Sequence, residues 1–263
     1  MSRYHNIGYV FTDAFDRSIA LTLEKQYNLI DVERNDNIAI DLLVVVGGDG
    51  LMLHSLHNYI INKNNNIPVY GINYGTVGFL LNQYSEHNLI DRINKAVPTK
   101  LTLLNMVAID IHQKEHSAIA INEVSLFRST HQATNLQIKI NSKLAMEKLV
   151  SDGILVSTPA GSTAYNFSAG GSILPLNSNV LSLTAINSFR PRRWRGAILT
   201  NSTTIEVDVI NPRVRSVAAV ADYTQFHNIT NIKIKKENNL TITLLFDEER
   251  NLEERIINEQ FSS

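Results

Sequence analysis

Leu42-Leu43-Val44-Val45-Val46-Gly47-Gly48-Asp49-Gly50 sets an unbroken apolar run directly before a glycine-rich turn. Without polar alternation, and rich in valine, such a run reads as a central strand covered on both faces, the mark of a parallel sheet. On one side lies a second apolar run, Ile7 to Phe11, followed by a polar span to Tyr27. On the other side Leu51 to Ile61 carries Leu53, Leu56, His57 and Ile60 at helical spacing, which predicts a helix packing back on the sheet. Asn62 to Asn66 closes it as a polar turn, and Pro68-Val69-Tyr70-Gly71-Ile72 supplies a further strand. Strands alternating with helical stretches predict βα units and an α/β amino-terminal domain. A second glycine loop, Asn73-Tyr74-Gly75-Thr76-Val77-Gly78-Phe79, again follows a strand end.

Beyond Pro98 the texture changes to strict alternation, as in Gln137-Ile138-Lys139-Ile140, Ile205-Glu206-Val207-Asp208-Val209 and Ile232-Lys233-Ile234-Lys235. Period two with one apolar face predicts antiparallel β structure. The tail from Asp247 to Phe261 reads as a surface helix returning to the first domain. The expected partition is therefore 1–98 with 247–263 as the α/β domain and 99–246 as a β-rich domain.

Among 263 residues, 24 Lys and Arg balance 25 Asp and Glu, so the basic footprint of a dedicated nucleic-acid binder is missing. With no cysteine, disulfides, thiolate metal sites and a cysteine nucleophile drop out together. No run approaches the roughly 18 apolar residues of a membrane span, and the expectation is a cytoplasmic protein without membrane partners.

Gly47-Gly48-Asp49-Gly50 lies at the carboxyl end of a buried strand, where open α/β sheets place ligands. Glycines there permit positive φ and converging N–H groups, and the following helix offers its positive end to an anion. An aspartate inside such a loop suits a general base at a hydroxyl, or a ligand to the magnesium of a nucleotide, while a tight turn without catalytic role is the competing reading. His54, about one helical turn further on, is placed to face a bound phosphate or simply to line the helix surface. The pairs His54/His57 and His112/His116 lack the glutamate of the zinc-protease pattern, and no fixed protein metal ligands are expected.

Asn122-Glu123 sits beside a strand and offers the donors and acceptors that hold a ribose diol. The stretch Asp152-Gly153 to Gly170-Gly171 concentrates glycines, small hydroxyl residues and Tyr165 between a strand and a helix start. Small residues admit a ligand to the backbone and Tyr165 offers a stacking face, so the concentration of hydroxyls favours a ligand-binding segment over the competing reading, a tight Ser/Gly turn in a β-domain. The P-loop lysine, the G-x-G-x-x-G loop and the hydrolase elbow G-x-S-x-G are all absent.

Together, Gly47-Gly48-Asp49-Gly50, Asn122-Glu123, Asp152-Gly153 and Ser157-Thr158-Pro159-Ala160-Gly161-Ser162-Thr163-Ala164-Tyr165 resemble the NAD kinase family in identity, order and spacing over most of the chain. The Ser-Thr-Pro segment is the specific part; Gly-Gly-Asp-Gly is shared with phosphofructokinases and with diacylglycerol and sphingosine kinases. The resemblance implies a Rossmann-like first domain, a β-rich second one and an active site in the crevice between them. It implies that ATP, or polyphosphate, with magnesium phosphorylates the adenosine ribose 2′-hydroxyl of NAD, Asp49 acting as base with Gly50 beside it. Asn122 and Glu123 are then expected at the ribose, Thr163, Ala164, Tyr165 and Ser168 along the adenosine, Phe79 near the adenine and Asp152 at the nicotinamide end. Ala160 and Asn187 match further site positions, and Asp222 lies where the family has an Asp-Gly pair. A homodimer or homotetramer is implied, since neighbouring subunits complete the nicotinamide end in many members.

Three departures stand out. Leu51 replaces the hydroxyl residue that commonly follows Gly-Gly-Asp-Gly, Ala160 stands for threonine or serine, and Tyr223 follows Asp222 instead of glycine. The competing readings are a lipid or sugar kinase sharing the Gly-Gly-Asp-Gly loop, and a nucleotide-sensing protein that has lost transfer, which Leu51 keeps open. The Arg190-Pro191-Arg192-Arg193-Trp194-Arg195 cluster is expected to be structural or interfacial.

Overall fold

The computed structural model describes residues 3–12, 14–35, 38–75, 78–85 and 87–248. In chain order the elements are β1 (Ile7–Phe11), α1 (Arg17–Tyr27), β2 (Ile30–Asp31), β3 (Leu42–Gly47), α2 (Asp49–Ser55), β4 (Val69–Asn73), α3 (Leu89–Lys95) and β5 (Val97–Leu101). There follow β6 (Leu104–Asp110), β7 (Glu115–Ala120), β8 (Glu123–Arg128), β9 (Thr134–Ile140), β10 (Lys143–Ser151), β11 (Gly153–Ser157) and α4 (Tyr165–Ser168). The chain ends its described part with β12 (Val180–Ile186), β13 (Gly196–Thr200), β14 (Ile205–Val209), β15 (Val217–Ala221), β16 (Thr224–Phe226), β17 (Ile229–Lys236) and β18 (Ile242–Phe246). It separates into two compact units, Met1–Leu101 with Leu240–Ser263, and Thr102–Asn239.

The first unit holds one sheet in the order β2-β1-β3-β4-β18-β5. Neighbours are parallel from β2 to β18, and β5 closes the edge antiparallel. β3 lies inside it, with Leu42 to Val45 fully buried, as its unbroken apolar run requires. The chain steps outward from β1 to β2 and returns past β1 to β3. The strand order therefore reverses between β1 and β3, and their carboxyl ends are where a doubly wound sheet receives ligands. Because β18 pairs with both β4 and β5, it belongs to this sheet, so the observed division falls at 101/102 and 239/240 instead of 98/99 and 246/247.

α2 starts at Asp49, two residues before the predicted helix, and continues as a π-helical turn over Leu56–Ile61. Met52, Ser55, Leu56, His57 and Ile60 form its buried side. From residue 249 onward the expected tail helix lies outside the described residues, as do Thr76 and Val77 of the second glycine loop.

The second unit contains two six-stranded sheets, β10-β9-β14-β17-β6-β7 and β13-β12-β11-β8-β15-β16, all antiparallel. The three alternating stretches of the sequence fall in β9, β14 and β17, which are direct neighbours. Their inward residues, among them Ile138, Ile205, Val207, Ile232 and Ile234, join Val124, Leu126, Ile154 and Val156 of the other sheet in one shared core. The α/β plus β-rich architecture expected from the sequence is what is found.

Candidate active site

In the first unit, Asp49 opens α2 at the carboxyl end of β3. The Phe79 N–H donates to its Oδ2 at 2.8 Å and the Leu80 N–H to its Oδ1 at 3.0 Å, so two successive peptide groups of the second glycine loop orient both oxygens. Gly47, Gly48 and Gly50 have no positive φ, contrary to the expectation; among the described glycines only Gly170 and Gly196 do. They matter instead through the space they leave. A Cβ added at Gly48 or Gly50 would meet nothing within 4 Å, while one at Gly47 would lie 2.7 Å from Cδ2 of Leu51. Leu51 thus folds back over the strand end, and the open face of the loop is at Gly48 and Gly50. His54 is exposed and its Nε2 lies 2.8 Å from the Asn58 amide one turn further along, which turns the ring down the helix.

In the second unit, Asn122 and Glu123 lie at the start of β8. Oδ1 of Asn122 and Oε2 of Glu123 are sealed from solvent and have no hydrogen-bond partner. Buried polar atoms of native proteins are nearly always paired, so two adjacent orphans make this corner a candidate site. Burial, and secondarily Asp222, pushes the Glu123 carboxyl up to about 8. Near neutrality it keeps its proton and presents both a donor and an acceptor. Asp222, expected as a ligand residue, turns its carboxylate inward: it accepts from the N–H groups of Ile121 at 2.8 Å, Asn122 at 2.9 Å and Glu123 at 3.3 Å. Its own backbone is left-handed, φ 52°, where the family's turn has its Asp-Gly pair. The geometry makes Asp222 the clamp that shapes the Asn122-Glu123 corner.

The hydroxyl-rich segment divides in two. Ser157, Thr158 and Ser162 are fully buried and bonded within the fold, so for these three the structural turn, not the ligand-binding reading of the segment, holds. Thr158 Oγ1 donates to Ile121 O at 2.6 Å and accepts from Gly161 N at 3.1 Å; Ser162 Oγ donates to Pro159 O at 2.7 Å and accepts from Leu174 N at 2.9 Å. They satisfy backbone groups at the start of a 3-10 turn, Ala160–Thr163, that side chains must otherwise cap. Gly161 is required there: a Cβ would sit 2.3 Å from the Asn122 carbonyl oxygen. Ala160 is buried too, with 7% exposure. Thr163 and Ala164 are half-buried, and Tyr165 and Ser168 are exposed. The Tyr165 ring stands 5.5 Å from that of Phe127, and burial with Asp152 and Glu123 nearby raises its hydroxyl pKa.

Asp152 and Asn187 are brought together, Asn187 Nδ2 donating to Asp152 Oδ2 at 2.9 Å. Arg128, not singled out in the sequence, closes the group with Nε 2.6 Å from Asp152 Oδ1. Register explains it: β8 pairs with β11 so that Phe127 lies opposite Gly153, and the strand ends of Arg128 and Asp152 therefore meet. Nothing in the local pattern of Arg128 signals this.

Two family models match the chain, the ATP-NAD kinase N-terminal domain over residues 7–98 and the ATP-NAD kinase C-terminal domain over residues 121–243. The NAD kinase of Rickettsia felis is 48% identical over 91% of each chain, and that of Caulobacter vibrioides 48% identical over 84% of each. Among solved structures, yeast NADH kinase complexed with NADH superposes with a TM-score of 0.81 at 22% identity, covering 98% of this chain and 88% of that one. An NAD kinase from Archaeoglobus fulgidus in complex with ATP gives 0.76 at 21% identity, covering 97% and 98%. These two likenesses concern the fold; the models and the close relatives decide the family. The chain belongs to the NAD kinase family.

Proposed function

We propose that this chain transfers the terminal phosphoryl group of ATP to the adenosine ribose 2′-hydroxyl of NAD, giving NADP and ADP. The observation that carries the reading is Asp49, whose two oxygens are aimed by the Phe79 and Leu80 amides beside the open faces of Gly48 and Gly50. The 2′-hydroxyl proton passes to the Asp49 carboxylate as its oxygen bonds to the γ-phosphorus and the bond to the β-phosphate oxygen breaks. A positioned base contributes about 10²- to 10⁴-fold. Asn122 and Glu123, with their unpartnered oxygens, hold ribose hydroxyls; Tyr165 stacks on the base; Thr163, Ala164 and Ser168 line it; Asp152 and Asn187 take the carboxamide end. The lipid- and sugar-kinase alternative offers no use for this second set.

Magnesium enters with the nucleotide as substrate and neutralises its phosphate charge. Both Asp49 oxygens accept from backbone amides. Polyphosphate is an alternative donor, since Gly47-Gly48-Asp49-Gly50 carries no basic side chain to select one phosphate chain over another. A homodimer or homotetramer fits the exposed apolar Phe189 and Ile198, 60% and 56% accessible, beside the arginine cluster. Cytoplasmic residence fits the absence of cysteine and of any described helix able to cross a membrane.

The test is incubation with NAD, ATP and magnesium, then with polyphosphate in place of ATP, followed by detection of NADP with an NADP-specific dehydrogenase. Asp49→Asn should lose about 10²-fold or more of turnover while still binding NAD. Normal turnover by that variant removes Asp49 as base.

A further inference from the structure

Asn82 is fully buried, and four of its polar groups are satisfied by two different strands. Its backbone lies against β4: the Asn82 N–H donates to Gly71 O at 2.7 Å, and the Asn73 N–H donates to Asn82 O at 2.7 Å, a parallel bridge around Ile72. Its side-chain amide repeats the pattern against β18: Nδ2 donates to Leu245 O at 2.9 Å, and Oδ1 accepts from the Asp247 N–H at 3.0 Å, around Phe246. β4 and β18 pair directly only at Leu244↔Val69 and Leu245↔Tyr70. Past those residues Asn82 takes the place of a strand, its amide standing in for a peptide group because it carries the same donor and acceptor.

The residue just after Asn82 is fastened as well. Arg92 donates to Gln83 O at 2.8 Å and to Asp247 Oδ2 at 2.6 Å, and the Tyr70 hydroxyl donates to Asp247 Oδ1 at 2.6 Å. Two and three residues before Asn82 are Leu80 and Phe79, whose N–H groups hold the two Asp49 oxygens. The loop also packs closely on β4: a Cβ at Gly71 would lie 2.2 Å from Cε of Met52, 2.6 Å from Cδ2 of Leu81 and 3.3 Å from Leu80 O, an approach that only glycine allows. The segment from 78 to 83 is thus pinned at its downstream end and delivers its amides at its upstream end.

We infer that Asn82 is a positioning residue for the Asp49 carboxylate, acting through the loop that it splices between β4 and β18. The inference rests on the reading of Asp49 as the base. Misplacing a reacting group by about 1 Å costs up to about 10²-fold in rate. Asn82→Asp keeps size and acceptor but removes the donor and sets a carboxylate oxygen against Leu245 O. With the full chain, saturating NAD and ATP with magnesium, and a temperature well below each unfolding midpoint, Asn82→Asp and Asn82→Ala should lower kcat about tenfold or more and leave the NAD KM within about twofold. In an Asp49→Asn background the same substitutions should bring no further loss of the residual turnover, because the loop no longer has a base to aim.

Wild-type kcat in a folded Asn82 variant, or an undiminished further loss in the Asp49→Asn background, overturns the inference. Should the Asn82 variants not fold, Arg92→Met loosens the grip on Gln83, Ser85 and Asp247 and removes the cation over the Tyr70 ring while leaving Asn82 itself intact; a few-fold loss of kcat at constant KM is expected, and an unchanged kcat overturns it equally. Failure of the base reading shows separately, as normal turnover by Asp49→Asn in the otherwise wild-type chain.

Discussion

Replacing Glu123 by glutamine tests the electrostatics of the ribose corner most directly. Burial first, and the Asp222 charge second, raise the Glu123 carboxyl from 4.5 to about 8. A carboxyl raised in the folded state is bound to its proton there while the unfolded chain has released it. Its stabilising contribution is complete below the unfolded value and is lost as pH climbs toward the folded one. The window therefore runs from about pH 4.5 to about pH 8, and the loss proceeds at about 1.4 kcal/mol per pH unit within it. Between pH 5.5 and 7.5 the wild-type chain should forfeit about 2–3 kcal/mol through this group alone. Glutamine has the shape of the protonated carboxyl and nothing to release.

Unfolding by urea at pH 5.5, 6.5, 7.5 and 8.5 should show the variant gaining on the wild type by that amount from pH 5.5 to 7.5, with the difference levelling off above pH 8. In thermal unfolding at about 2–4 °C per kcal/mol the gap grows by about 5–10 °C. All other titrating groups are common to both chains and cancel. The NAD KM of the wild type should rise above pH 8, where Glu123 loses its donor, while that of Glu123→Gln stays level. Parallel stability curves for the two chains across the whole range would refute the claim that Glu123 is protonated near neutrality.

Asp222→Asn replaces one of the two acceptor oxygens by a donor that faces either the Ile121 N–H or the N–H groups of Asn122 and Glu123, so a loss of about 2–4 kcal/mol in urea unfolding is expected together with a raised NAD KM. Gly50→Ala has open space for its methyl group in α2; stability should rise by about 0.5–1 kcal/mol, as for any helical glycine replaced by alanine, while phosphoryl transfer falls at least tenfold in the coupled assay. Gly161→Ala forces its Cβ into the Asn122 backbone and should cost about 3 kcal/mol with weaker NAD binding by calorimetry; a stable variant with wild-type affinity contradicts the packing argument.

Much of this molecule was open to reading from periodicity. The Leu42–Val46 run is buried on both faces, and the alternating stretches around Ile138, Val207 and Ile232 are adjacent strands, because burial of one or two faces writes itself into residue order. The grips of Asn82, Asp222 and Arg128 were not readable. Asn82 is bonded to a residue 163 positions away, and its partners there are peptide groups, which look alike in every residue type. The hydroxyls of Ser157, Thr158 and Ser162 misled for a related reason. Serine and threonine serve a buried turn as well as a ligand, and composition alone does not say which. What separates the two roles is the remainder after the fold's own demands are met. Thr158 and Ser162 have every obvious duty inside the turn, whereas Asn122 Oδ1 and Glu123 Oε2 are left over, and Gly50 occupies a helical position that alanine would fill more favourably. Local rules are broken where a function compensates for them, and the Asp49 loop and the Asn122-Glu123 corner, where the phosphoryl donor and the ribose are proposed to lie, are among the places where this chain breaks them.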